Sequence, residues 1–237
     1  MTFQEIYEQV RFEAFGDSIP NNSMINYIRG TGTGVVNNGL IAKAHKKVQD
    51  KNNFWFMMMT EVIQLQVGIQ SYTLNDYTST VALENKVKEL ISLVVKDQDD
   101  KFHEPLQLLR TGDAQRFFWP SDGQGQQYPT AFEMFGDELV IYPDITESNE
   151  LHFIYYGYAD RPPVNDDLFS QSEGDPVTMY AGDIIAQYTL SDVARVLKDW
   201  DLYKAAEDNA NRMLLDLKIV DNQRRHALIH ELPYIDC

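Results

Sequence analysis

The chain has 237 residues, 43% hydrophobic, 12% aromatic and 24% charged, a globular composition that can bury a core as one large domain or two small ones. With 36 acidic against 20 basic residues the net charge is −16, the reverse of what a protein that neutralises nucleic-acid phosphates carries. The single cysteine, Cys237, excludes an intrachain disulfide and suits a reducing cytoplasm, and the six-residue apolar run Phe54–Met59 is far shorter than the roughly 20 residues of a membrane helix.

Taken in chain order, Phe3, Ile6, Tyr7, Val10 and Phe12 predict a short amphipathic helix over 3–14 that ends near Gly16, with no signal-peptide core in the same stretch. Pro20-Asn21-Asn22-Ser23 is capping chemistry for a brief helix through Ile28. A glycine-rich loop containing GTGTG follows. Val36, Leu40, Ala44 and Val48 then recur every four residues, predicting a helix over 35–52 with Lys43, Lys46 and Lys47 on a solvated or subunit-contacting face. After the aromatic–methionine run the period drops to two. Ile63, Leu65, Val67 and Ile69 alternate as a half-buried strand, Gly68 to Ser71 turn, and Tyr72 and Leu74 begin a return. VKELISLVV, the DQDD turn and FHEPLQL predict a hairpin, and 111–118 a helical turn before a loop. TAFEMF, ELVIYP and ELHFIYYGY predict three strands, giving an antiparallel β unit over about 60–160. Two helices follow, over 179–199 and 202–217. Residues 218–237 lack a clear period and read as a tail.

The expected fold class is therefore α+β: a helical bundle formed by N- and C-terminal helices, with an inserted antiparallel β unit and an extended C-terminal arm. Its parts are N-terminal bundle helices over 1–59, the β domain over 60–162, C-terminal bundle helices over 163–217 and a docking arm over 218–237. Phe54, Trp55, Phe56, Met58, Gly68 and Tyr72 are read as the seam where the bundle hands the chain to the β domain, since methionine fills irregular gaps and Gly68 permits the first turn. In the arm, Arg224, Arg225, Leu228, Ile229, Leu232, Pro233 and Tyr234 combine apolar anchors with charge, which fits docking onto a partner better than a frayed end.

No residue is nominated for catalysis, a metal or a cofactor. Gly30, Gly32 and Gly34 miss both phosphate-loop patterns, having Val35 and Asn37 where a third glycine belongs and no Gly-Lys-Ser/Thr. His226 and His230 lack the glutamate of a zinc helix, and Asp97-Gln98-Asp99-Asp100 breaks the calcium-loop pattern at Lys101 and Leu108. There is no Gly-x-Ser-x-Gly elbow. FEMF, VIYP and FIYYGY hold more aromatics than one sheet face needs. They read as core packing, as a subunit contact, or as an aromatic carbohydrate- or surface-binding module; an unrecognised acidic-pair hydrolase is the remaining alternative.

Several stretches together resemble the head-to-tail adaptor (connector) proteins of tailed bacteriophages. These are the helix VVNNGLIAKAHKKVQDKNNFWFM, the strand and turn IQLQVGIQSYTL, the series YPTAFEMFGDELVIYPDITESNELHFIYYGYADRPP and the closing helices to AAEDNANRMLLDL, covering about residues 35–217. The resemblance implies a structural virion protein of the neck, assembled in the host cytoplasm. It would form a ring, usually of twelve copies, that joins the portal to tail, nozzle or tail-tube and fibre proteins. Genomic double-stranded DNA would pass through the lumen without specific binding, no membrane or cofactor would be involved, and the C-terminal arm would bind the portal. The GTGTG loop and the acidic span 137–175, with ten acidic residues and only Arg161 basic, depart from simpler members. Like charge on a lumen wall would discourage phosphate contacts within a Debye length of roughly 8–10 Å.

Overall fold

The computed structural model describes residues 1–30, 39–73, 87–110, 128–136, 138–143, 147–159 and 174–231, with side chains as far as Arg225. Most of the GTGTG loop, the expected helical turn at 111–118, residues 137, 144–146 and 160–173 of the acidic span, and Leu232, Pro233 and Tyr234 lie outside the described residues. The protein is α+β and divides into two compact units, Met1–Met57 with Ala159–Cys237, and Met58–Tyr158.

The first unit is helical. Thr2 and Glu5 form a reciprocal capping box that starts α1 (Phe3–Phe15), which buries Phe3, Ile6, Tyr7 and Val10. Phe12 departs from expectation: it lies off that stripe and is 63% exposed. The Asn21 side chain accepts from Met24 N–H to cap α2 (Asn22–Arg29), whose last residue lays its guanidinium 4.1 Å from the Tyr7 ring. At Gly39 a Cβ would fall 2.4 Å from the backbone of Arg29 and Gly30, so only glycine lets α3 (Leu40–Lys51) start this close to the end of α2.

Asp175 caps α4 (Pro176–Leu197) with a second capping box, and Pro176 occupies its first turn. This helix is apolar on nearly every side, burying Val177, Ile184, Ile185, Tyr188, Leu190 and Val193, because α1, α3 and the final helix all pack on it. Lys198, in the left-handed conformation (φ 62°), ends α4, and Asp199 accepts from Leu202 N–H to start α5 (Trp200–Glu231). Ala206 and Ala210 let the two helices approach closely, and Tyr188 donates to Asn211 across the hairpin (2.8 Å).

The C-terminal arm requires correction. Residues 218–231, expected as an extended tail, continue α5. The buried stripe Ala206, Ala210, Leu214 runs on to Asp221, which is fully buried although charged. A carboxylate in that register hides the apolar period from the sequence.

The second unit is a β sandwich. One sheet has the order β1 (Met58–Gln64), β8 (Glu150–Gly157), β3 (Val87–Lys96), β4 (Phe102–Pro105); the other has β2 (Ser71–Thr73), β7 (Glu138–Tyr142), β6 (Ala131–Phe135), β5 (Gln107–Leu108). Ile63, Leu93, Leu151 and Phe153 of one sheet share a core with Tyr72, Phe132, Leu139 and Ile141 of the other. Two expectations change. Gly68 to Ser71 do not return the chain along β1: β1 pairs with β8 and β2 with β7, so the turn carries it between sheets. The unit is not wholly antiparallel either, since β5 runs parallel to β6. Alternation specifies which face of a strand is buried, not which strand lies beside it. Val67 and Ile69 fall beyond the end of β1 and are exposed.

Candidate interaction surface on the helical unit

The residues nominated as seam and as arm divide between the two units. Phe54, Trp55 and Phe56 belong to the helical unit. Phe54 and Phe56 stack (centroids 5.2 Å), Phe56 stacks on Tyr180 of α4 (5.2 Å), and Trp55 meets Tyr180 edge-on (5.2 Å). Met58 opens β1 and is half exposed. Gly68 and Tyr72 form a local device in the β unit. Gly68 takes φ +76°, and the buried Tyr72 hydroxyl accepts from Gln66 N–H (2.9 Å) and donates to Ile69 O (3.0 Å), pinning the turn from beneath. The Gly-x-x-x-Tyr spacing thus has a conformational cause.

Two of the arm residues come together with the aromatic run. The guanidinium of Arg224 lies 4.5 Å from the Trp55 ring centroid, a cation–π contact at an exposed site. Arg225 turns inward and pairs with Asp221 (2.8 Å), so its charge is engaged within the unit and not offered to a partner. Leu228 and Ile229 lie on α5 beyond the described side chains. The resulting surface comprises Arg224, half-buried Trp55, Tyr180 (45% exposed) and Met179 (65% exposed).

Asp221 organises this surface and was not foreseen. Its Oδ1 accepts from Trp55 N–H (2.8 Å), and its Oδ2 accepts from Asn52 Nδ2 (3.3 Å) and Arg225 Nε (3.0 Å). A buried carboxylate is tolerable only with its lone pairs met in this way. It ties the last turns of α5 to the chain leaving α3 and fixes the Trp55 backbone. Asp at a position on the buried stripe was the available signal.

A second polar fastening joins α3 to α4. Gln49 Oε1 accepts from Ala159 N–H (2.7 Å), so its amide nitrogen donates to His45 Nδ1 (3.0 Å). That leaves the proton on His45 Nε2, which donates to the N-cap Asp175 (2.8 Å). His45 is 1% exposed, packed edge-on against Phe3, and cannot meet a substrate in solution. The arrangement holds helices together. Lys47, one of the basic face noted in the sequence, covers the Tyr188 ring at 3.8 Å.

In the β unit, Asp97 accepts from Asp99 N–H and Lys101 N–H (both 2.9 Å) and from His103 Nε2 (3.0 Å), closing the β3–β4 turn. The Lys101 N–H is the chief cause that holds its carboxyl below the usual aspartate range. Tyr155 is fully buried with no hydrogen-bond partner for its hydroxyl among the described residues; burial, reinforced by the negative charge of Glu61, pushes it up to about 12. Among the described residues no three metal-ligating side chains cluster, and no helix is long and apolar enough to cross a membrane. The aromatics of FEMF and FIYYGY are divided: Phe132, Phe153 and Tyr155 lie in the core, whereas Phe135 is 40% exposed. No protein-family model matches the chain, and no curated protein matches it in sequence.

Proposed function

We propose that this chain is a head-to-tail adaptor of a tailed bacteriophage: a structural, non-catalytic virion protein that forms a ring between the portal and the tail. In this reading the helices from both chain ends form one bundle with the β sandwich inserted, and α5 carries the portal contact at its C-terminal end. The observation that carries the reading is the Arg224–Trp55–Tyr180 surface near the end of α5, where an exposed cation and aromatic side chains are held in place by the buried Asp221. Exposed aromatic and arginine groups of this kind anchor protein partners. The net charge of −16 supports passage of DNA without adhesion. The twelve-fold ring, the tail, nozzle and fibre partners and the position at the portal vertex follow from the family resemblance.

The test is a truncation placed with the structure in mind. A chain ending at Arg225 keeps Asp221 and its partners, whereas one ending at Leu217 would lose them. The chain ending at Arg225 should fold, with an unchanged far-UV circular dichroism spectrum per residue outside the lost turns, and should bind portal rings more weakly because it keeps only the Arg224–Trp55–Tyr180 part of the contact; Arg224→Ala in that chain should weaken binding further. Undiminished portal binding by the Arg225 truncation would exclude the arm as the docking element.

A further inference from the structure

The hydrogen bonds that run from Ala159 through Gln49 and His45 to Asp175 admit one arrangement of protons while the imidazole is neutral. Ala159 N–H can only donate, so it holds Gln49 Oε1 (2.7 Å) and turns Gln49 Nε2 toward His45 Nδ1 (3.0 Å). Nδ1 is therefore the bare acceptor, and Nε2–H donates to Asp175 Oδ2 (2.8 Å). A second proton must arrive at Nδ1, where it meets the hydrogens of the Gln49 amide, donor against donor. His45 is 1% exposed and Gln49 2%, so solvent does not relieve the conflict. A half-turn of the amide does: it offers Oε1 to Nδ1–H and withdraws it from Ala159 N–H. Asp175 keeps Nε2–H in either state.

We infer that His45 and Gln49 form a proton-operated latch on Ala159, the residue at which the chain re-enters the helical unit. The latch is closed while His45 is neutral. It opens when the ring takes its second proton, and the half-buried Ala159 N–H then turns to water. Asp175 is the anion that meets the added charge. Of the other charged groups on the surrounding elements, the Met1 ammonium donates to Thr178 O (3.3 Å) in the first turn of α4, and Asp183 of α4 is exposed. On α1, Glu5 closes the capping box with Thr2 and Glu8 pairs with Arg11 (2.8 Å). Arg29 of α2 donates to Gln4 (2.8 Å), and on α3 itself Lys46 pairs with Asp50 (3.4 Å) while Lys47 covers Tyr188. The latch belongs to the helical unit and does not depend on which partner that unit binds.

The test is heteronuclear magnetic resonance of the full-length chain from about pH 8 to about pH 5, the range in which imidazoles titrate. The His45 ring should be the Nε2–H tautomer at the upper end and carry a second proton on Nδ1 at the lower. With the same midpoint, the Ala159 amide should lose protection against exchange roughly fivefold relative to its intrinsic rate, the size of one ordinary hydrogen bond. Thr178 N–H, held by Asp175 Oδ1 (2.8 Å), should keep its protection. Gln49→Glu offers acceptors to Ala159 N–H and Nδ1–H together, so there Ala159 should stay protected across the range. A neutral ring with its proton on Nδ1, a His45 still neutral at about pH 5, or Ala159 protection that ignores the His45 midpoint would overturn the inference. So would a loss of Ala159 protection on acidification in Gln49→Glu equal to that of the wild type. If that variant does not fold, Gln49→Ala replaces it: its Ala159 amide should be unprotected at both ends, and wild-type protection at the upper end would overturn the latch.

Discussion

The two units of this protein solve the burial problem differently. The β sandwich is held by apolar volume: Leu93, Leu151 and Phe153 face Phe132, Leu139 and Ile141, and the core even contains a tyrosine hydroxyl with no partner among the described residues. The helical unit is fastened by buried polar groups far apart in sequence, His45 to Asp175 and Trp55 to Asp221. Apolar packing is tolerant of detail, whereas a buried hydrogen-bonded carboxylate fits one arrangement and is costly in any other. The helical unit therefore has surface residues such as Trp55 placed by specific bonds.

The largest expected effect lies in the helical unit. Asp221→Ala leaves Arg225 and Trp55 N–H without their acceptor, and breaking a buried pair costs about 3–5 kcal/mol. Urea unfolding followed by circular dichroism should show that loss. A loss below about 1 kcal/mol would mean that Asp221 does not act as a fastening. His45→Ala removes a hydrogen bond to a charged cap and is expected to cost about 2–3 kcal/mol by the same measurement. His45→Gln should recover part of it by restoring a donor.

The β unit should respond with the opposite sign. Tyr155→Phe deletes a buried hydroxyl that has no partner among the described residues, so stability should rise by about 1 kcal/mol, since the desolvation penalty of that group disappears. A fall in stability would show that the hydroxyl is satisfied in solution. The smallest effect concerns the β3–β4 turn. Because the folded-state pKa of Asp97 lies below its unfolded value, its contribution is present above the unfolded pKa, about 4, and is lost as pH falls through the folded value. Amide exchange in the Asp97–Lys101 turn should quicken relative to the rest of the sheet over that acidic range, and in Asp97→Asn the extra pH dependence should be absent.

Legibility follows the same division. Every second residue of ELHFIYYG is buried as the alternation requires, and Asn21 caps a helix start that its sequence announces, whereas the helix capped by Asp175 begins at Pro176, three residues before the apolar period suggested. Strand neighbours could not be read, because a period of two carries face and not partner, so the crossings between β1 and β2 and between β7 and β8 emerge only in three dimensions. The last turns of α5 were hidden by the polar group that secures them. His45 and Gln49 sit beside Ala44 and Val48 on the inner face of α3, a register that marks polar residues as buried. Their partners, 130 and 110 residues away, carry no local signal.

The most direct test of the adaptor reading is electron microscopy of the full-length purified chain mixed with portal rings of the same virus. The account predicts an added ring seated on one end of the portal, with α5 toward the portal. Portal rings that remain bare at concentrations well above those of the virion assembly site would contradict it.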